Sequence, residues 1–238
     1  IIADSLRLNV TVGIGNDSTT VNALDTQVNT LSASSRANGV FINETDALTI
    51  DTVDEVTVNT VAADASVSDT TDKRQEDVTT INSGSVVIEA DAITVNPGAS
   101  ESDTGTSQYR GINTIGSGNV LLNARAGDLS LQGQVLGDNG HVSLMATGNI
   151  IMRGIGGIVS TSGASIYAKA DGGITMDDGA TVTSGNGHVS FEAVDDINLG
   201  RISAGSGNVA VLATTGSIVD LADSDAEDII ASGLLLNA

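Results

Sequence analysis

Two pairs of adjacent acids, Asp177-Asp178 and Asp195-Asp196, are where this chain comes nearest to catalytic chemistry. Hydrolysis of a glycosidic bond needs two carboxyl groups about 5 to 9 Å apart, one to give a proton and one to attack or to activate water. His188 precedes the second pair and adds a group that could move a proton. The neighbouring chemistry is missing. An acidic polysaccharide calls for a basic motif, and Lys73 and Lys169 are the only lysines. Sugar rings stack on aromatic side chains, and these are limited to Phe41, Tyr109, Tyr167 and Phe191. Adjacent residues of a strand also point to opposite faces, and at a turn both are solvated. The expectation is a chain without catalytic residues.

Metal chemistry has one candidate. Asp223, Asp225, Glu227 and Asp228 fall in six consecutive residues, the densest acidic cluster in the chain. Carboxylate oxygens suit calcium. The cluster lacks the glycine and distal glutamate of an EF-hand loop, and a solvated loop is the plainer interpretation. No other cofactor is implied. His141 and His188 each follow a glycine at one place in a repeat and are expected at turns. The absence of cysteine excludes disulfides and thiolate-bound metals. Asn9, Asn16 and Asn43 head glycosylation sequons, which short Asn/Thr/Ser-rich stretches produce by chance.

Charge narrows the partners. The 238 residues carry a net charge of −21, from 30 acidic against 9 basic side chains. Nucleic acids and anionic membrane surfaces call for basic patches, so neither is an expected partner. No apolar run approaches the roughly 20 residues that span a bilayer, so no membrane insertion is expected. The chain opens on Ile1 without a signal sequence, as a mature fragment or internal segment would.

The elements that must position all these groups are repeats. Gly118-Asn119-Val120-Leu121-Leu122-Asn123-Ala124 followed by Gly127-Asp128-Leu129-Ser130-Leu131 returns as Gly140 to Ala146 with Gly148 to Met152. It returns again from Ala164, from Gly187 and from Gly207. The anchoring alanine is expected at 124, 146, 168, 193, 213 and 238. Each unit alternates apolar and polar residues with period two, so each is made of strands with one dry and one wet face. A third apolar point per unit is expected at Val135, Ile158, Val182 and Ile202. Aromatics are only 2 % of the chain while glycine reaches 28 residues, which suits a narrow aliphatic core between many turns.

These observations predict an all-β chain, a right-handed parallel β-helix of about 22 residues per coil and roughly ten coils. It is a single solenoid over 1–238. Residues 1–110 are less regular, with inserts near 66–77 and 97–110, and residues 111–238 form regular coils. Leu24, Val28 and Leu31 have helical spacing, but the Thr and Val around them favour strand. Ten coils at about 4.8 Å make a rod of about 50 Å. Polar caps are absent. Ile1, Ile2, Leu6 and Leu8 at one end, and Leu234, Leu235 and Leu236 at the other, are the candidate surfaces for end-to-end stacking. An uncapped strand edge recruits another edge, so the chain is expected to be one module of a longer array. Its partners would be copies of itself, joined covalently or not.

Coils of the form Gly-Asn-Val-x-Leu-x-Ala-x-x-Gly-Asp-Leu-x-Leu resemble the repeats of filamentous-haemagglutinin-like adhesins and related giant bacterial surface proteins. Leu24 to Leu31, followed by Gly39 to Val53, resembles repeat units of very large secreted proteins of aquatic bacteria. The resemblance implies export to the outside or surface of a bacterium, a role in attachment, biofilm or fibres, and no catalysis. Glycans or host and surface receptors would then be further partners. The other class open at this point is a glycan-binding or polysaccharide-cleaving β-helix.

Overall fold

The alternation of apolar and polar residues is converted into three columns of short parallel strands around one dry core. A computed structural model of the chain describes residues 1–15, 22–98, 109–154, 157–220 and 227–238. The chain is all β, and 24 of its strands join one wound sheet. It is a parallel β-helix.

Each coil crosses three faces. The first face carries the opening residues of Leu24–Ser35, then Val40–Glu44, Val86–Ala90, Val120–Ala124, Val142–Ala146, Ile166–Ala170, Val189–Ala193, Asn208–Ala213 and Gly233–Asn237. The second carries the first part of Ile2–Val10 and the middle of Leu24–Ser35. Leu48–Ile50, Ile93–Val95, Leu129–Leu131, Ile150–Met152, Ile174–Met176, Ile197–Leu199 and Ile218–Asp220 follow. The third carries the last parts of Ile2–Val10 and Leu24–Ser35. Val78–Thr80, Arg110–Thr114, Gln134–Leu136, Ile158–Ser160, Thr181–Thr183, Arg201–Ser203 and Ile229–Ile230 complete it. Among the described residues every face therefore holds nine layers, not the ten expected. At the layer spacing of a sheet the rod is about 43 Å long.

Inside, like stacks on like. Val86, Val120, Val142, Ile166, Val189 and Val209 form one buried column. Ile93, Leu129, Ile150, Ile174 and Ile197 form another. No coil could bury its own inner residues without the coils on either side.

The register corrects two expected positions. The alanine column runs Ala90, Ala124, Ala146, Ala170, Ala193 and Ala213, so Ala170 and not Ala168 continues it. Both alanines point inward, because the strand has period two. Ala168 lies between Leu144 and Phe191, and its small side chain leaves room for the ring. On the third face the inward residue is Val159 rather than Ile158, since Val159 stacks between Val135 and Val182. Val135, Val182 and Ile202 are buried as expected. The spacing of Leu24, Val28 and Leu31 is indeed strand, within Leu24–Ser35.

The inserts also differ from expectation. The first is a hairpin, with Val56–Val61 antiparallel to Val67–Asp72, so the excursion begins well before residue 66. Of the second insert, Gly98 and Tyr109 flank residues outside the described set, and strand resumes at Arg110.

Glycine marks the corner before the first face. A Cβ on Gly140 would lie 1.8 Å from the carbonyl oxygen of Gly118 one coil earlier, and on Gly207 1.9 Å from that of Gly187. Coil-to-coil hydrogen bonding cannot stretch to accommodate this. Gly140→Ala is expected to lower stability by about 1–3 kcal/mol, read as a lower denaturant midpoint at unchanged slope.

Candidate functional site

The open surfaces of the rod are its two ends. At the far end Gly233–Asn237 pairs on one side with Asn208–Ala213, and no described strand pairs with its other side. Leu234 follows Val209 in its column and Leu236 follows Val211, so both point along the core, 52 % and 48 % exposed. Leu235 pairs with Ala210 and points outward, 63 % exposed. At the near end Leu6 pairs with Leu31 and Leu8 with Ala33, partly buried against the core. Ile2 pairs with the exposed Gln27 and is 82 % exposed, on the outer side. The Ile1 carbonyl accepts from the Gln27 N–H, and its amine donates to the Asp25 carbonyl.

The ends are stepped. The last layer begins on the first face, with Gly233–Asn237, and the first begins on the second face, with Ile2–Val10. Under the missing part of that first layer sit Ile14, bridged to Val40, and Leu24, paired with Ile42. On the third face Ile229 ends a column and Leu8 begins it. Leu24 and Ile229 are thus partly buried at the ends, while Ile14 is already buried in the core. The second face breaks the pattern, because Asp220 follows Leu199 where an aliphatic residue would continue the column.

The other sequence-derived candidates are scattered. Asp223 and Asp225 lie outside the described residues. Glu227 and Asp228 directly precede Ile229–Ile230. Burial, and then the charge of Asp220, raise the pKa of Asp228 above the usual carboxylate value. Among the described residues no three His, Cys, Asp or Glu are grouped to hold a metal ion. Asp177-Asp178 follow Ile174–Met176, while Asp195-Asp196 precede the paired strand Ile197–Leu199. The pairs therefore stand at opposite edges of the second face, a strand length of about 10 Å apart. Asp177 faces Arg153 at 3.6 Å, and Asp196 accepts from the Ser217 N–H at 2.7 Å. Phe41 and Phe191 are buried, which leaves Tyr109 and Tyr167 half-buried as aromatic surface.

The histidines have a definite part. His141 Nδ1 accepts the Ser165 N–H and His188 Nδ1 accepts the Asn208 N–H, each at 3.0 Å. Asn119 Oδ1 does the same for the His141 N–H at 2.9 Å, and Ser85 Oγ for the Asn119 N–H at 3.1 Å. These side chains form a ladder along one corner, in which each histidine accepts a backbone N–H on Nδ1.

Two buried acids were not legible in the sequence. Glu44 stands where later coils carry alanine. It accepts the Thr26 hydroxyl at 2.6 Å, the Val28 N–H at 3.1 Å and the Thr45 N–H at 2.9 Å. Asp77 is buried at φ 63°, where the third face begins. Desolvation first, then Glu76 and Asp51, push its pKa up to about 7, against the pull of Arg110. A carboxyl that holds its proton more tightly when folded stabilises the fold at low pH. That stability is lost as pH rises from the unfolded value, near 4, to about 7. Asp77→Asn is expected to flatten this slope and to gain about 2–4 kcal/mol at neutral pH. Denaturant unfolding at a series of pH values measures it.

Among the described residues no helix is long and apolar enough to cross a membrane. Comparison with protein-family models, with curated proteins and with solved structures found no match to this chain.

Proposed function

We propose that this chain is a structural, adhesive module of an extracellular bacterial surface protein or fibre, and that it extends by stacking end to end. One observation carries the proposal: the two ends are complementary steps of the same three-column screw. A second copy set on the far end would continue the order of the three faces. Leu236 would come over Leu24, and Ile229 over Leu8. The strand edges that face each other would pair as all the inner coils do. Chain continuity would serve equally well. A chain running on from Ala238 into a second Ile1 would put Leu6 six residues after the alanine, the interval from Ala146 to Met152 and from Ala170 to Met176.

A fibre role needs no cleft and no catalytic group. It needs a cohesive core, an end that takes another end, and a coat that prevents random clumping. The charge of −21 supplies the coat. The apolar contact at the joint rests on the first and third faces, with Asp220 on the second.

The test is sedimentation velocity of the purified chain over a wide concentration range, with and without a calcium chelator. The mass is expected to rise with concentration in steps of one chain, with frictional ratios of lengthening rods. A single species of 23.8 kDa at every concentration would overturn the stacking of separate copies.

A further inference from the structure

We propose that the hairpin Val56–Val61/Val67–Asp72 is a lateral junction, in which the open edge of Val56–Val61 pairs with the same strand of a second copy. This contact is independent of the ends of the rod.

Every residue of both hairpin strands is exposed, including Val56, Val58, Val61 and Val67 at 47–66 %. Two strands alone in water are marginal, and further strands are what stabilise such a unit. The base of the hairpin is nonetheless held to the rod. Arg7 meets Asp72 at 3.1 Å, and the Gln75 carboxamide donates to the Leu8 carbonyl at 3.0 Å.

The two edges are unlike. Val67–Asp72 carries Asp69 and Asp72, and charges on an edge strand keep other strands away. Val56–Val61 reads Val-Thr-Val-Asn-Thr-Val, with no charge and no proline. On a chain of net charge −21, such a neutral strip is where a second copy meets least repulsion.

The hydrogen-bond phase fixes the register. The Ala62 N–H donates to the Ser66 carbonyl at 2.9 Å, so the even-numbered residues of Val56–Val61 bond inward to their own hairpin. Thr57, Asn59 and Val61 therefore present N–H and C=O to the open edge. A two-fold dimer pairs identical patches. Centred on Asn59, it sets Asn59 opposite Asn59 of the copy and Thr57 opposite Val61 of the copy, so that the whole strand is used. The result is a four-stranded antiparallel sheet with the acidic strands outermost.

The chain has no cysteine, so single thiols report the register without background. The variants are made in a Leu234→Asp/Leu236→Asp background, which keeps this contact separate from the ends. Directly opposite residues of such a pair have Cα atoms about 5.5 Å apart, within disulfide range. Under mild oxidation Asn59→Cys is expected to double its mass on a non-reducing gel, as is a mixture of Thr57→Cys with Val61→Cys. Val61→Cys alone should stay single, because its copies lie about 13 Å apart. No doubling of Asn59→Cys, or equal doubling of Asn59→Cys and Val61→Cys, would overturn the proposal.

Discussion

Replacing Leu234 and Leu236 by aspartate is expected to abolish end-to-end association while leaving the rod folded. Both residues point along the core from the last layer, and both are about half exposed. In an isolated chain they cover Val209 and Val211 from one side only, so the rod should stay folded at a modest loss of stability. In a stack they become interior residues, with Leu236 on top of Leu24. Full burial of one leucine is worth about 1.5–3 kcal/mol. Stacking would bury the remaining half of each, so losing both, and desolvating two carboxylates instead, weakens the joint at least about 10-fold. Leu235→Asp is the control. Its side chain points outward, beside Ala210, and the same charge there should leave association nearly unchanged. Sedimentation of the two variants, together with circular dichroism, decides the matter. Equal loss in both would mean that charge alone, and not the continued column, governs the joint.

Phe191→Ala carries the largest expected effect on stability. Phe191 is fully buried, in a column of Leu122, Leu144, Ala168, Val211 and Leu236. Its ring takes the space that Ala168 leaves in the layer before. Truncation removes a large transfer term and opens a cavity in a core only one strand wide on each side, at a cost of about 3–5 kcal/mol. A solenoid is held by neighbour-to-neighbour contacts, so the loss should fall on the coils around residue 191. Hydrogen exchange should therefore accelerate in Ile166–Ala170 and Asn208–Ala213 more than in Val86–Ala90. A companion Ala168→Leu is expected to recover part of the loss by refilling the gap from the adjacent layer. Uniform acceleration along the rod would show that the molecule unfolds as one unit instead.

The coil plan was visible in the sequence because stacking repeats one chemical environment. Val120, Val142 and Val209 must all be aliphatic, and the glycines before them must all be small. What the period could not fix was phase. Ile166–Ala170 holds two inward alanines, and period two alone cannot say which of them stacks on Ala146. Ile158 and Val159 are equally apolar, and only the neighbouring layers place Val159 inside. The hairpin was hidden for the opposite reason. Val56 and Val58 alternate with a polar residue as core residues do, but they have no layer to face and lie in water. Glu44 and Asp77 were hidden because burial of a single acid leaves no periodic trace. The exposed Leu234, Leu235 and Leu236 were legible as leucines of the last coil. The place of Ile14 and Leu24 in the columns of the first face was not, because they come from an irregular corner of the first coils.

The central claim is that the near and far ends of this rod continue one another. Electron microscopy of concentrated protein measures this most directly, through the axial repeat of any filament formed. Nine layers on each face predict filaments with an axial repeat of about 43 Å, set by the strand spacing. Filaments of another repeat, or aggregates without axial order at concentrations where sedimentation shows association, would contradict it.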